Sequence, residues 1–158
     1  MRPFGHKLEQ AVRELLKNKK VKIKAPLQAL KKIFKKDREI LFAYLYGSCA
    51  TGAVHPGSDI DIAVFLKPSD IKDYVKKQEE LTTTLVTALH NDNIDLRILN
   101  TLPFLLKYKV LKEGVPILIK DESARVEFET ATMNRFFQLK PYLEEYNRML
   151  LLRIQAGI

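Results

Sequence analysis

Cysteine is almost absent from this sequence, which contains a single one, Cys49, in 158 residues. A disulfide framework and a cysteine-rich zinc site are therefore excluded, and a lone thiol is typical of a reducing compartment. No stretch approaches the roughly 20 consecutive apolar residues that a membrane span needs. The charged N-terminus also has no signal-peptide core. We therefore expect a cytoplasmic protein with no membrane partner.

Internal repeats, low-complexity tracts and an evident linker are also missing. Apolar residues make up 46% of the chain and charged residues 29%, a balance that supports a folded core. The length fits one domain over 1–158. We expect it to comprise basic N-terminal helices over 1–38, a sheet core over 40–119 and C-terminal helices over 121–155.

The net charge of +8 is unevenly distributed. Residues 1–38 hold thirteen Lys or Arg and three Asp or Glu, whereas residues 39–158 hold fourteen and sixteen. Such a positive region favours nucleic acid, a triphosphate or an acidic protein as partner. It is equally typical of a solvated helix face that keeps a protein soluble.

Hydrophobic periodicity predicts an α/β (α+β) fold in which a small sheet is flanked by helices. The predicted strands cover 40–46, 59–66 and 94–99, with a short edge strand over 115–119. The predicted helices cover 7–18, Pro26 through Phe34, 69–90, 101–113 and 121–155. We expect the last helix to be kinked or broken near Pro141.

Three carboxylates are the main candidates for chemistry: Asp59, Asp61 and Asp95. Asp59 and Asp61 are two residues apart at the start of a strand, so both point to the same face. Ile60, Ile62 and Val64 form the opposite, apolar face. Adjacent carboxylates repel unless a cation lies between them, and Mg²⁺ prefers such oxygen ligands. Asp95 reaches the same place if the two strands pair.

A candidate phosphate site lies just upstream, where Gly47 and Ser48 follow the first strand. Gly47 has no Cβ and lets the backbone approach a ligand closely. Ser48 offers a hydroxyl and an amide N–H, and a helix starting there would favour an anion. A nucleoside triphosphate with Mg²⁺ needs such neighbouring phosphate and metal sites.

Each of these signals is weak alone, because Gly-Ser after a strand is usually a turn and Asp-x-Asp is usually a solvated pair or a cap. Their combination is specific. Gly47-Ser48, ten intervening residues and Asp59-Ile60-Asp61 resemble the signature of minimal nucleotidyltransferases (MNT) of the DNA-polymerase-β superfamily, including MntA-like antitoxins of HEPN–MNT toxin–antitoxin pairs. The resemblance is strong from about Leu41 to Leu99. It implies a polymerase-β-like palm with a small mixed sheet and flanking helices.

The resemblance also implies a role for each candidate residue. Asp59 and Asp61 would bind two Mg²⁺ ions, and Asp95 would be the third carboxylate of the metal and catalytic site. Gly47 and Ser48 would hold the β- and γ-phosphates of ATP. The implied reaction transfers AMP from ATP to a tyrosine of a HEPN ribonuclease toxin, which this chain would silence as its antitoxin.

Alternatives to this function remain open. The chain could mask the toxin by binding without catalysis, or transfer the nucleotide to a small molecule or an RNA end. The chain also departs from the family pattern at Thr51, where relatives often carry arginine. That departure removes a phosphate or structural contact but leaves the metal ligands untouched.

Two further residues near the motif each have two interpretations. Arg97 shares the strand face of Asp95, so it either contacts the triphosphate or, the favoured interpretation, forms a salt bridge with Asp95 or Asp61. Cys49 follows Ser48 directly but has no His or Asn partner pattern. We therefore interpret it as a small loop residue rather than a nucleophile.

Overall fold

The structure is a computed structural model that describes residues 24–51 and 59–158, without the side chains of Lys24, Ala25 and Thr51. The helix predicted over 7–18 and most of the loop that precedes Asp59 lie outside the described residues. The helices are α1 (Lys24–Lys36), α2 (Ser48–Thr51), α3 (Ile71–Leu89), α4 (Phe104–Glu113) and α5 (Glu122–Gln155). The strands are β1 (Ile40–Tyr46), β2 (Ile60–Leu66), β3 (Ile94–Ile98) and β4 (Val115–Ile119).

The four strands form one mixed sheet in the order β3-β2-β1-β4. β1 pairs antiparallel with both β2 and β4, while β2 pairs parallel with β3. The parallel pair needs a crossover, which α3 supplies between the two strands. The predicted strands and the edge position of β4 are confirmed, and so is the predicted small mixed sheet with flanking helices.

The sheet separates two groups of buried side chains. On one face α1 and α3 contribute Leu30, Phe34 and Leu85, which pack against the apolar side of β1, β2 and β3. Ile60, Ile62 and Val64 all belong to this group, which confirms the predicted apolar face of β2. On the other face the buried group consists of Phe42, Tyr44, Ala63, Leu99, Val110 and Phe128.

A polar network anchors the start of α5 to the middle of β1. The buried Tyr44 donates its hydroxyl hydrogen bond to Glu129, and the Arg125 guanidinium contacts Glu129 at 2.7 Å. Arg125 is only 5% exposed and also pairs with Glu122. Burial, followed by the Glu129 carboxylate, raises the pKa of Tyr44, so the phenol stays protonated and keeps donating.

α5 is continuous over 34 residues, with Pro141 inside it. Of the two outcomes predicted near Pro141, a kink or a break, the break is therefore wrong, and the kink stays a prediction. A proline inside a helix removes one backbone hydrogen bond and crowds the preceding turn. The α-helical backbone nevertheless continues on both sides of Pro141, which is exposed to solvent.

The predicted helix over 101–113 divides into a 3₁₀ turn, Leu99–Thr101, and α4, which begins at Phe104. Leu102, the residue before Pro103, is extended (φ −66°, ψ 143°) because the proline ring disfavours the α region there. Among the described helices, none is both long and apolar enough to cross a membrane.

Candidate active site

Gly47 links β1 to α2 with a backbone that a side chain would strain. Its φ is +69°, in the left-handed region that favours glycine. A Cβ placed on Gly47 would collide with the Asp61 carboxylate. Gly47 is thus required twice, by its conformation and by the approach of Asp61 to its backbone.

Ser48 is the first residue of α2, a single helical turn. The Ala50 amide donates to the Gly47 carbonyl at 3.1 Å, which closes the turn that follows β1. The helical start that the sequence made conditional is therefore present. The Thr51 side chain lies outside the described residues.

Asp61 and Asp95 are direct neighbours in the sheet. They face each other in the parallel register of β2 and β3, and Tyr46 faces Asp61 in the antiparallel register of β1 and β2. Three oxygen-bearing side chains, Tyr46, Asp61 and Asp95, therefore lie in one row across three strands. The sequence required this pairing for Asp95 to join the other carboxylates, and the structure provides it.

Asp59 lies immediately before β2 and is exposed. Its carbonyl accepts a hydrogen bond from the Cys49 thiol at 3.4 Å, which ties the start of β2 to α2. Its carboxylate is close enough to Asp61 to raise the pKa of that group. Asp59 therefore belongs to the same end of the sheet as Asp61.

Arg97 forms an ion pair with Asp95 on the same strand. Its Nε donates to Asp95 Oδ1 at 2.9 Å, and its Nη2 donates to Oδ2 at 3.1 Å. Both side chains are about half exposed, at 48% and 40%. The favoured interpretation of Arg97 as a salt-bridge partner is confirmed, with Asp95 rather than Asp61.

The local electrostatics of this row are those of crowded negative charge. Burial raises the pKa of Asp61, and the charges of Asp95 and Asp59 raise it further. Burial of the Tyr46 phenol, together with the charges of Asp95 and Asp61, raises the pKa of Tyr46 to about 12. Lys109 on α4 acts in the opposite direction and lowers the pKa of Asp61. A cation at this place would relieve the repulsion.

The donor chemistry of Asp59, Asp61 and Asp95 fits a hard divalent cation, because all three offer carboxylate oxygens. The carboxylates are not gathered into a finished metal site. Among the described residues, no three His, Cys, Asp or Glu side chains are grouped closely enough to hold an ion. Asp95 is instead oriented towards Arg97. An ion bound by Asp95 would therefore either share this carboxylate with Arg97 or displace the guanidinium.

Cys49 is buried, at 4% exposure, within the core beside α1 and β2. Burial raises the pKa of its thiol, and the Asp61 charge raises it further. A thiol that resists ionisation is a poor nucleophile. The interpretation of Cys49 as a non-catalytic residue therefore agrees with its surroundings, although it lies in α2 rather than in a loop.

The sequence profile of the family described as "Polymerase beta, Nucleotidyltransferase" matches residues 28–123, which include the whole row and the Gly47 turn. The chain belongs to the polymerase-β nucleotidyltransferase family. No curated protein sequence matches it at a significant level.

Several solved structures have a similar fold. A chain of a toxin–antitoxin structure with AMP-PNP is 23% identical, with a TM-score of 0.61, and the match covers 80% of this chain and 97% of that one. A chain of the toxin–antitoxin MntA–HepT is 22% identical, with a TM-score of 0.57, covering 78% and 97%. A chain from a tri-AMPylated Shewanella oneidensis HEPN toxin in complex with MNT antitoxin is 21% identical, with a TM-score of 0.58, covering 80% and 98%. At these identities the likeness establishes the shared nucleotidyltransferase fold.

Sequence reasoning missed two residues of this candidate site. Tyr46 was treated only as the end of a strand, although alternation along β1 places it on the same face as Tyr44. Lys109 carries no local signal, because its effect on Asp61 depends on how α4 packs against the sheet. The first could have been found from strand parity once the pairing partner was known; the second could not.

Proposed function

We propose that this chain is a Mg²⁺-dependent nucleotidyltransferase that transfers AMP from ATP to a hydroxyl acceptor, a tyrosine of a cognate HEPN ribonuclease toxin. In this role it acts as the antitoxin of the pair. The observation that carries the proposal is the register of β2 and β3, which makes Asp61 and Asp95 neighbours beside Gly47. A structural role alone gives no reason to place two carboxylates side by side with a third nearby.

Asp59, Asp61 and Asp95 would hold two Mg²⁺ ions. When bound, the ions would lower the pKa of the acceptor hydroxyl and neutralise charge on the phosphates. Gly47 keeps the backbone open beside Asp61, and Ser48 would hold the β- and γ-phosphates at the start of α2. Asp95 would accept the proton as the acceptor oxygen bonds to the α-phosphorus and pyrophosphate leaves.

Support for the nucleotide and the acceptor comes from the structures of similar fold. One of them contains AMP-PNP, and another contains a HEPN toxin that carries three AMP groups. The chain spans nearly the full length of both similar chains. We infer the same nucleotide and acceptor class for this chain.

The test is the intact mass of the cognate HEPN protein after incubation with this chain, ATP and Mg²⁺. We expect one or more added AMP masses, which should disappear when the chain carries Asp59→Asn and Asp61→Asn. A modification that persists in this double variant would overturn the site. Arg148→Met, which changes an exposed ion pair far along α5, is a matched control and should leave the modification intact.

A second candidate function is a masking antitoxin that binds its toxin without catalysis. It is favoured by the fact that Asp95 is paired with Arg97 and that the described carboxylates do not form a finished metal site. The same mass experiment separates the two functions. A tight complex without added mass would establish masking, whereas absence of binding would redirect the search to RNA ends and small molecules.

A further inference from the structure

Four basic side chains from three separate segments line one open cleft of about 550 Å³, where β1 begins. Lys35 lies near the end of α1 and Arg38 just after it, whereas Lys67 follows β2 and Lys120 follows β4. All four side chains are exposed. Because these residues are distant in the sequence, the tertiary fold is what brings their charges together.

The backbone of β1 fixes the two lysines that come from other strands, one on each of its sides. The Lys67 amide donates to the Glu39 carbonyl at 2.8 Å, and the Lys120 amide donates to the Leu41 carbonyl at 2.8 Å. This end of β1 lies roughly 20 Å from Tyr46, because a strand rises about 3.4 Å per residue. The cleft is therefore distinct from the candidate active site.

α1 extends the positive charge away from the cleft. Its 13 residues include five lysines and no acidic residue. Lys31 lies one turn before Lys35, and burial, followed by the charge of Lys35, lowers the pKa of Lys31. Like charges four residues apart destabilise a helix, so helix stability does not explain this repetition. The five cations that form one continuous row are called the basic surface: Lys31, Lys35, Arg38, Lys67 and Lys120.

The two carboxylates inside the cleft are engaged at the start of α5. Asp121 accepts a hydrogen bond from the Ala124 amide at 2.9 Å as the cap of that helix. Glu122 pairs with Arg125 on the next turn. Both carboxylates therefore have partners on α5 rather than among the cations of the basic surface.

The carboxylates between α1 and β1 are engaged as well. Asp37 and Glu39 pair with Lys77 on α3 at 2.7 Å and 3.1 Å. Lys120 donates to the backbone carbonyl of Asp37. Burial lowers the pKa of Lys120, the Asp37 charge opposes that change, and the Lys67 charge adds to it. No cation of the basic surface forms an ion pair with any residue that the structure describes.

The composition of the basic surface fits the phosphate backbone of a nucleic acid better than it fits another protein. Nucleic-acid interfaces are polar and strongly basic, whereas protein interfaces are depleted of lysine and bury apolar side chains at their centre. None of the large apolar side chains that the described structure leaves exposed belongs to α1 or lines the cleft. Charge complementarity therefore selects a chain of phosphates as the occupant.

We propose that the basic surface binds the phosphate backbone of a single-stranded nucleic acid, at the end of the sheet opposite the candidate active site. Lys35, Arg38 and Lys67 contact successive phosphates in the cleft, and Lys31 continues the track along α1. Such contacts position a strand without reading its bases. The proposal does not depend on the proposed nucleotidyl transfer.

Fluorescence anisotropy of a labelled RNA of about 12 nucleotides, titrated with the whole chain, tests this. The buffer contains EDTA and no ATP, so the metal-free carboxylate row repels phosphates and does not contribute. Each phosphate contact adds about 0.7 to the slope of log affinity against log salt. Lys35→Gln, Arg38→Gln and Lys67→Gln should each raise the Kd about fivefold at about 0.1 M salt. The triple variant should raise it about a hundredfold, with a slope shallower by about 2.

Lys140→Gln is the matched control, because Lys140 lies roughly 27 Å along α5 from the cleft and pairs there with Glu144 at 3.7 Å. It should leave the Kd and the slope nearly unchanged. A DNA strand of the same sequence should bind within about threefold of the RNA, since the contacts are to phosphate. A preference above about tenfold for either strand would overturn the assignment to phosphate.

Two further outcomes would overturn the proposal. A parent protein that binds neither strand at about 0.05 M salt would leave the basic surface to an acidic protein or to solvent. Unchanged binding by the triple variant, or an equal loss in Lys140→Gln, would show that charge outside the basic surface is responsible. Because the three replaced side chains are exposed, the variants should keep the circular dichroism spectrum of the parent.

Discussion

Arg97 neutralises Asp95 from two residues along the same strand, with Nε 2.9 Å and 3.2 Å from the two carboxylate oxygens. Asp95 is the register partner of Asp61, whose pKa is raised partly by that neighbour. The Arg97 guanidinium is therefore hydrogen-bonded to Asp95, one of the three carboxylates of the proposed metal site. Arg97 and Lys109 are the positive side chains that oppose the negative charge of Asp61.

We predict that Arg97→Ala tightens the binding of divalent cations, because it removes the cation that competes for Asp95. An exposed pair of this kind contributes up to about 1 kcal/mol, so the metal Kd should fall roughly two- to fivefold. Mn²⁺ binding followed by electron paramagnetic resonance measures this without any turnover. Arg97→Lys keeps the charge, so its Mn²⁺ Kd should lie between those of the parent and of Arg97→Ala. Weaker Mn²⁺ binding in Arg97→Ala would show that Arg97 supports the metal site rather than competing with it.

We predict that Asp61→Asn and Asp95→Asn each lower AMP transfer by at least about 10², because charge stabilisation is usually the largest catalytic contribution. Both variants should keep the circular dichroism spectrum of the parent, since the two side chains are only partly buried. Single-turnover transfer to the HEPN protein measures the loss. Near-normal transfer by either variant would remove that residue from the catalytic set.

Asp61→Asn should also make the protein more stable at neutral pH. The pKa of Asp61 is raised by burial and by Asp95 and Asp59, so the folded protein favours the protonated form. The protonated Asp61 therefore contributes its full stabilisation at a pH below the pKa that Asp61 has in the unfolded chain. This contribution is lost as the pH rises through the raised pKa of Asp61 in the folded protein. The gain from asparagine should thus be larger at pH 7 than at pH 3.

Urea denaturation of Asp61→Asn and its parent at both pH values measures this difference. Because Asp61 is partly exposed, the gain should stay below about 1 kcal/mol. A variant that is equally or less stable than the parent at pH 7 would contradict the prediction.

We predict that Gly47→Ala destabilises the fold and abolishes transfer. A left-handed alanine costs roughly 1–2 kcal/mol, and the new Cβ would also displace the Asp61 carboxylate. Gly157→Ala is the matched control, because Gly157 has nearly the same φ of +70° but no neighbour near the added Cβ. The difference in unfolding free energy between the two variants includes the cost of the close approach to Asp61. Equal effects in both would show that Asp61 moves aside freely.

We predict that Arg125→Met costs about 1–3 kcal/mol, because it leaves the part-buried Glu129, whose side chain is 27% exposed, without its cation. Arg125 is 5% exposed and joins Glu122 and Glu129 beside Tyr44. Arg148→Met removes a similar but exposed pair and should cost less than about 1 kcal/mol. Chemical denaturation compares the two directly. Similar costs would mean that the buried network adds nothing beyond a surface ion pair.

The sequence predicted the strands to within one residue at each end, because continuous apolar runs that end at glycine or at turn residues define them locally. Alternation along β2 placed Asp61 opposite Ile60 and Ile62, and the structure confirms that face. The Gly47 turn was likewise predicted from the end of β1. These features depend on residues close together in the chain, which is why the sequence was sufficient.

A break at Pro141, one of the two outcomes predicted there, was wrong because a proline removes a single helical hydrogen bond and the rest of the helix can offset that loss. The structure places that proline in a continuous helix of 34 residues. Similarly, the start of α4 was set too early by three residues, since Pro103 forces Leu102 into an extended conformation. In both cases the sequence predicted a helix correctly, but the residue at which the helix begins or ends depended on the conformation of the neighbouring backbone.

Local sequence by itself determined the elements, the Gly47 turn and the carboxylates that each strand presents. Only the tertiary structure decided that β2 and β3 pair in parallel with Asp61 beside Asp95, and that Tyr46 lies in the same row. It also decided that Arg97 pairs with Asp95 rather than with Asp61. The physical reason is the distance along the chain over which each feature is determined. Side-chain alternation is a property of adjacent residues, whereas register and ion-pair choice depend on how distant segments pack around one core.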